Sequence, residues 1–267
     1  MHLPERSKHV ILMHMDRVAN YPRKFLSAFT TLLLLNLLLA VHHASIVYVN
    51  SSFLGQFFSP EGVSVLYITA SVIVVGALIL APRFVSNGRV FALFVITTPL
   101  LQLAIFFLGF SKSAFSAALF FISQGVLIFI LRYLLDLYVE SISKDESKTG
   151  NTRSLFITAG NIGFLLGPLI ASVVVIGSQF SPLYAFSALL LAPVFFIALG
   201  PLRRMAPTIP HVHNFIHTLQ EVFRYRKSLR AVMVVHFLMH LFNAIIIIYA
   251  PLYLFEVGGL SWQAIGS

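Results

Sequence analysis

Seven runs of about 20 predominantly apolar residues constrain this chain more than any other feature. They lie at 25–49, 63–81, 90–110, 114–137, 155–176, 183–200 and 231–254. A helix needs that length to cross the hydrocarbon layer of a bilayer. Only helices or closed barrels satisfy their backbone hydrogen bonds inside that layer. The first run is too long for a signal-peptide core and lacks an evident small-x-small cleavage site, so it reads as a retained span. The expected fold class is an all-α membrane protein, a polytopic bundle of transmembrane helices.

The charge content agrees. Only 10% of the residues are charged and 58% are hydrophobic, whereas soluble domains carry about 25% charged residues. Too few polar groups remain to cover a water-facing surface. A net charge of +9 would point to nucleic acid in a soluble protein. Here the cations sit in short segments between apolar runs, so a lipid bilayer is the expected partner and nucleic acid is not. The absence of cysteine excludes disulfides and thiolate metal sites, and no cofactor is expected.

The cations also orient the chain. They collect before the first run (Arg6, Lys8, Arg17, Arg23, Lys24), between spans 2 and 3 (Arg83, Arg89) and between spans 4 and 5 (Lys144, Lys148, Arg153). The remaining group lies between spans 6 and 7 (Arg203, Arg204, Arg224, Arg226, Lys227, Arg230). The alternate loops, 50–62, 111–113 and 177–182, hold only Lys112. Positive loops stay in the cytoplasm, so residues 1–24 form a cytoplasmic segment and 25–200 a six-helix bundle. Residues 201–230 then form a cytoplasmic loop, and 231–267 a seventh span with an external turn. Composition points to a bacterial inner membrane.

Within 201–230, Val212, Phe215, Ile216, Leu219, Val222 and Phe223 share one helical face after Pro210. They predict an amphipathic helix on the membrane surface. His211, His213 and His217 have no carboxylate or cysteine to complete a metal site. A repeat follows: Tyr48 and Ser59 after span 1 match Tyr249 and Ser261 after span 7, at an offset of about 200 residues. That period predicts a second half of similar size, of which span 7 is the first helix and the remainder is missing.

The region around spans 4 and 5 resembles the major facilitator superfamily. There an acidic residue closes helix 4, an arginine opens helix 5, and a G-x-x-x-G-P element follows. Glu140, Arg153 and Gly163-Phe164-Leu165-Leu166-Gly167-Pro168 occupy those places. The two further glycines usual in the proton-linked antiporters are Ala171 and Ser172 here, so antiport does not follow. The 2–3 loop is similar to the family's G-x-x-x-D-R-x-G-R-R signature in keeping Gly76, Arg83, Gly88 and Arg89, without the aspartate. The resemblance implies a six-helix half plus the first helix of a second half, working as a secondary transporter of a small solute by rocking around a central site. The gating candidates it implies are Gly76, Arg83, Gly88, Arg89, Asp136, Glu140, Arg153, Gly163, Gly167 and Pro168.

Polar residues inside spans are costly and mark candidate paths or interhelical contacts. Span 1 has Asn36, His42 and His43; span 4 has Gln124 and Arg132; span 5 has Asn161. Span 7 has His236, His240 and Asn243 on one face. Arg132 either snorkels and pairs with Asp136 one turn on, or serves substrate or proton coupling. The histidines either carry a coupled proton or are hydrogen-bonded packing. His240 and Arg132 are expected to line the aqueous path. Asn50-Ser51-Ser52 fits a glycosylation pattern too near the membrane for use.

Two other classes are opposed by particular residues. A receptor of the G-protein-coupled kind needs an external N-terminus, and a retinal protein needs a lysine in span 7, where none exists. An enzyme would need a constellation such as paired carboxylates, H-E-x-x-H or G-x-S-x-G, and the spans hold none. A non-transporting membrane assembly partner remains the alternative.

Overall fold

Every apolar run forms a helix. The computed structural model describes residues 23–85, 89–143, 146–175, 179–205, 207, 220, 223–224, 227–261 and 264–265. Its helices are α1 (Arg23–Val47), α2 (Asn50–Leu54), α3 (Pro60–Phe84), α4 (Arg89–Gly109), α5 (Ala114–Ile142), α6 (Glu146–Val174), α7 (Ser181–Leu189), α8 (Leu191–Leu199) and α9 (Lys227–Glu256). Seven segments are long and apolar enough to cross a bilayer, so the chain is a helical integral membrane protein. Spans 1 to 5 are α1, α3, α4, α5 and α6; α7 and α8 together make span 6, and α9 is span 7. Residues 1–22, Gly88 of the 2–3 signature and most of the amphipathic helix expected after Pro210 lie outside the described residues; of that helix Gln220, Phe223 and Arg224 are described, and they are helical.

Local chemistry sets the helix ends. Ser59 caps α3 by accepting from the Gly62 amide, with Pro60 in the first turn, where a missing N–H costs nothing. Ser113 and Ser116 form a reciprocal capping box at the start of α5. Three boundaries differ from expectation. α5 runs on to Ile142, and α6 already begins at Glu146, so Lys148 and Arg153 are helical rather than in a loop. Span 6 breaks at Leu190, three residues before Pro193, because proline has no N–H for the preceding turn.

The spans do not pack in chain order. Span 1 packs most extensively on span 5 and also on spans 4 and 6; span 4 packs on spans 2 and 3, and span 3 on span 6. Exchanging span 1 with 4, 2 with 5 and 3 with 6 maps these pairs onto one another.

Small residues create the main seam. Asn36, Ala40 and Ala44 of α1 face Gly160, Gly163 and Gly167 of α6. A Cβ on Gly163 would fall 2.6 Å from Ala40 Cβ and 2.9 Å from the Val41 nitrogen; one on Gly167 would fall 2.6 Å from the Ala44 carbonyl carbon. The two backbones are therefore in direct contact, as small residues permit in lipid. By contrast, Gly76 has nothing within 4 Å of its missing Cβ, and Arg83 and Arg89 lie exposed at the helix ends.

The end opposite the arginines is closed by polar packing. All five residues of α2 are buried, Asn50, Ser51 and Ser52 included. The first residues of the external loop expected at 50–62 are thus a buried helical turn. Tyr184 Oη donates to Asn50 Oδ1 at 2.6 Å, and Tyr184 packs on the bare Cα side of Gly109. Tyr184→Phe would leave a buried oxygen without its donor, costing about 1–3 kcal/mol. A lowered unfolding midpoint in detergent, restored by Asn50→Leu in the same chain, is the expected result.

Candidate functional site

Among the described residues, two cavities lined by the polar span residues lie at different depths of the bundle. The first, of about 290 Å³, lies towards the arginine-bearing helix ends. It is lined by Asn36 and Ala40 of α1, Arg132, Leu135 and Asp136 of α5, and Phe156, Ile157, Gly160, Asn161 and Phe164 of α6. The second, of about 400 Å³, lies towards the opposite end. His43 of α1, Tyr67 and Ser71 of α3, Gln124 and Phe129 of α5, and Ala244 and Ile248 of α9 are among its lining. For brevity these are the inner and outer cavities.

Aromatic rings join the two linings. Phe164 lines the inner cavity and His43 the outer, and their rings meet edge-on with centroids 5.8 Å apart. Phe129 meets His43 from another side at 6.5 Å. Pro168 is one turn beyond Phe164 in α6 and lacks the N–H that the Phe164 carbonyl would otherwise receive. The Phe164 contact thus stands where its helix is locally weakened.

Arg132 is the innermost charge. It lies four residues beyond Ile128, the midpoint of the 29-residue α5, hence about 6 Å along the axis. Asp136 shares the cavity lining but is exposed, and no carboxylate among the described residues pairs with the guanidinium. The pairing of Arg132 with Asp136, one of the two readings of the sequence, is therefore not formed among the described residues. Spacing of four puts two side chains on one face, but the guanidinium instead lies over the Phe164 ring, 5.4 Å from its centroid. Arg132 Nε is buried with no hydrogen-bond partner among the described residues. A central arginine costs about 2.5–3.5 kcal/mol in a membrane helix, and a cation–π contact returns about 0.5–2. The ring recovers only part of the cost.

The other polar candidates divide into packing and lining groups. Asn36 Nδ2 donates to the Phe156 carbonyl at 2.7 Å, which ties α1 to α6 at the edge of the inner cavity. Asn161 faces the same cavity and is exposed. His42 is bonded into the packing on one side of its ring: Nδ1 lies 2.9 Å from the Ser187 carbonyl oxygen and 2.8 Å from Ser187 Oγ, while Nε2 is buried with no partner among the described residues. Ser187 Oγ and Ser45 Oγ in turn donate to the His42 carbonyl at 2.9 and 2.8 Å. A carbonyl partner requires the proton on Nδ1, so the ring is held as that tautomer. Gln124 is buried, with Oε1 unpartnered among the described residues.

Span 7 is brought in only at its far end. Ala244, Ile247 and Ile248 line the outer cavity, and Tyr249 Oη lies 3.1 Å from Ser64 Oγ. His236, His240 and Asn243 are exposed. The Nε2 atoms of His236 and His240 are 2.9 Å apart, an isolated pair on the helix surface. His240 is not among the residues lining the cavity of Arg132, so the two expected path residues are separate here. Glu140 and Arg153 are exposed near the arginine-bearing end.

Sequence reasoning missed Ser187, Tyr67 and Phe164 as site residues. Tyr67 Oη is buried without a partner in the outer-cavity region, and a tyrosine within an apolar span is a signal that could have been used. Ser187 and Phe164 carry no such signal. Comparison with family models and with curated proteins finds no match.

Proposed function

We propose that the chain is part of a secondary transporter that moves a small solute by alternating access, the arginine-bearing helix ends facing the cytoplasm. The observation that carries this reading is the pair of cavities at different depths whose linings meet in the edge-on contact of Phe164 with His43. A solute path that is open to one side at a time needs two such half-paths and a removable wall. The exchange pattern of the packing adds support. Spans 1 and 4 cross in opposite directions, so the pattern is that of two inverted three-helix repeats, the arrangement found in facilitator-type halves. No carboxylate lies deep in a span, so coupling to protons would rest on histidine or on a group outside this chain.

The chain contains no cysteine, so single cysteines can be added without background. Asn161→Cys reports on the inner cavity and Ser71→Cys on the outer, each labelled by a membrane-impermeant maleimide applied to one side of oriented vesicles. The expected result is labelling of Asn161→Cys from the cytoplasmic face and Ser71→Cys from the opposite face, with transported solute changing the two rates in opposite senses. Fixed rates that no solute changes would favour the assembly-partner reading and sink this one.

A further inference from the structure

Resting on that transport reading, we propose that the inner cavity binds a small organic anion bearing one carboxylate and an apolar body, with Arg132 taking the carboxylate. Three observations lead there. First, Arg132 is the charge nearest the middle of its helix, and its Nε is buried without a hydrogen-bond partner among the described residues. A cation at that depth needs an anion, and Asp136, the carboxylate that shares the cavity lining, does not pair with it. A planar carboxylate suits the two-pronged donor geometry of a guanidinium.

Second, the polarity of the cavity is ordered along its depth. Arg132 is on the inner side and the exposed Asp136 one turn nearer the arginine-bearing end of α5. A second negative charge on the solute would meet the Asp136 carboxylate, so a monoanion is favoured over a dianion. A cationic solute would meet Arg132.

Third, the remaining lining is apolar with two amides. Ala40, Leu135, Phe156, Ile157 and Phe164 offer hydrocarbon surface, while Asn161 and the second N–H of Asn36 are donors beside Arg132. Gly160 keeps that corner open, since a Cβ there would come 3.1 Å from Asn36 Nδ2. About 290 Å³ is near the lower end of small-molecule pockets.

The test measures binding without requiring transport. Benzoate is titrated into the whole chain in neutral detergent at constant ionic strength, and the thermal unfolding midpoint is followed. Benzyl alcohol, benzylamine and phthalate serve as neutral, cationic and dianionic controls. Benzoate alone is expected to raise the midpoint in a saturable way. Arg132→Gln should weaken the effect by roughly 10- to 100-fold, the loss of one charge-assisted hydrogen-bonded pair. Without ligand, Arg132→Gln should unfold no earlier than the parent chain, because it removes an unpaired buried charge. Asp136→Asn, which leaves Arg132 intact, should let phthalate bind.

Equal shifts with benzyl alcohol, or benzoate shifts unchanged in Arg132→Gln, would overturn the proposal. So would a midpoint that responds to phosphatidylglycerol in the micelle and not to benzoate, which would make the anion a lipid headgroup. Arg132-dependent benzoate binding with no side-specific labelling of Asn161→Cys and Ser71→Cys would refute transport and leave the anion site standing. Solute-dependent labelling without Arg132-dependent binding would do the reverse.

Discussion

Gly167→Ala lowers the stability of the detergent-solubilised protein by about 1–3 kcal/mol, the usual cost of overpacking, and Gly163→Ala does the same. In both cases the added methyl meets backbone atoms of α1, not the far end of a side chain. Backbone cannot rotate away, so α1 and α6 must separate. That separation also loosens Asn36 from the Phe156 carbonyl, since both lie on the same seam. The double variant is expected to be less than additive, because the first methyl already opens the seam for the second. Gly160→Ala is the graded comparison, meeting only the Asn36 amide at 3.1 Å, which can shift. Gly76→Ala meets nothing and should hold or slightly raise the unfolding midpoint, by up to about 1 kcal/mol of helix propensity. A series in which all four substitutions raised the midpoint by a similar amount would show that only helix propensity, which favours alanine by about 0.5–1 kcal/mol, is at work and that close approach is not.

The second large effect belongs to His42. His42→Ala removes a fully buried ring and leaves Ser187 without a partner for its carbonyl and with only one for its hydroxyl. Cavity formation and lost hydrogen bonding act together, so a loss of about 2–5 kcal/mol is expected. Ser187→Ala is much milder, about 0.5–1.5 kcal/mol, because Nδ1 keeps the Ser187 carbonyl at 2.9 Å. The order His42→Ala far below Ser187→Ala, read from chemical or thermal unfolding, distinguishes a tautomer-locking backbone bond from a side-chain pair. A His42 that carried a transported proton would show itself differently, by flux lost in His42→Ala over and above what the loss of folded protein accounts for.

The seven spans were legible because lipid imposes a length on apolar runs, and no tertiary detail is needed to see it. The glycine spacing in α6 was legible for a similar reason: Gly160, Gly163 and Gly167 recur on one helical face. What packs against them was not. Asn36, Ala40 and Ala44 form the opposite half of the seam, and their register depends on how two apolar helices slide, which apolar residues do not encode. Arg132 shows the limit from within one helix. Its spacing to Asp136 was right, yet spacing fixes only which face a side chain leaves from, and the guanidinium settled on Phe164 from another helix. Span 7 shows a third limit. His236, His240 and Asn243 share a face as read from the sequence, but a shared face does not say whether anything stands opposite it.

The order in which the spans pack also bears on how such a chain can be made. Span 1 is synthesised first, yet its main partners are spans 4, 5 and 6. Ser187, which receives the His42 ring, lies 145 residues later. At about 5–20 residues per second of translation, span 1 waits roughly 7–30 s in the bilayer with a polar ring and an asparagine unsatisfied. Span 1 therefore cannot assemble as a hairpin with span 2, whereas the consecutive spans 3 and 4 pack on each other as soon as both are made. A ribosome stalled after span 3 would hold a first helix exposed to lipid-phase quality control, whereas one stalled after span 6 would present it already clasped.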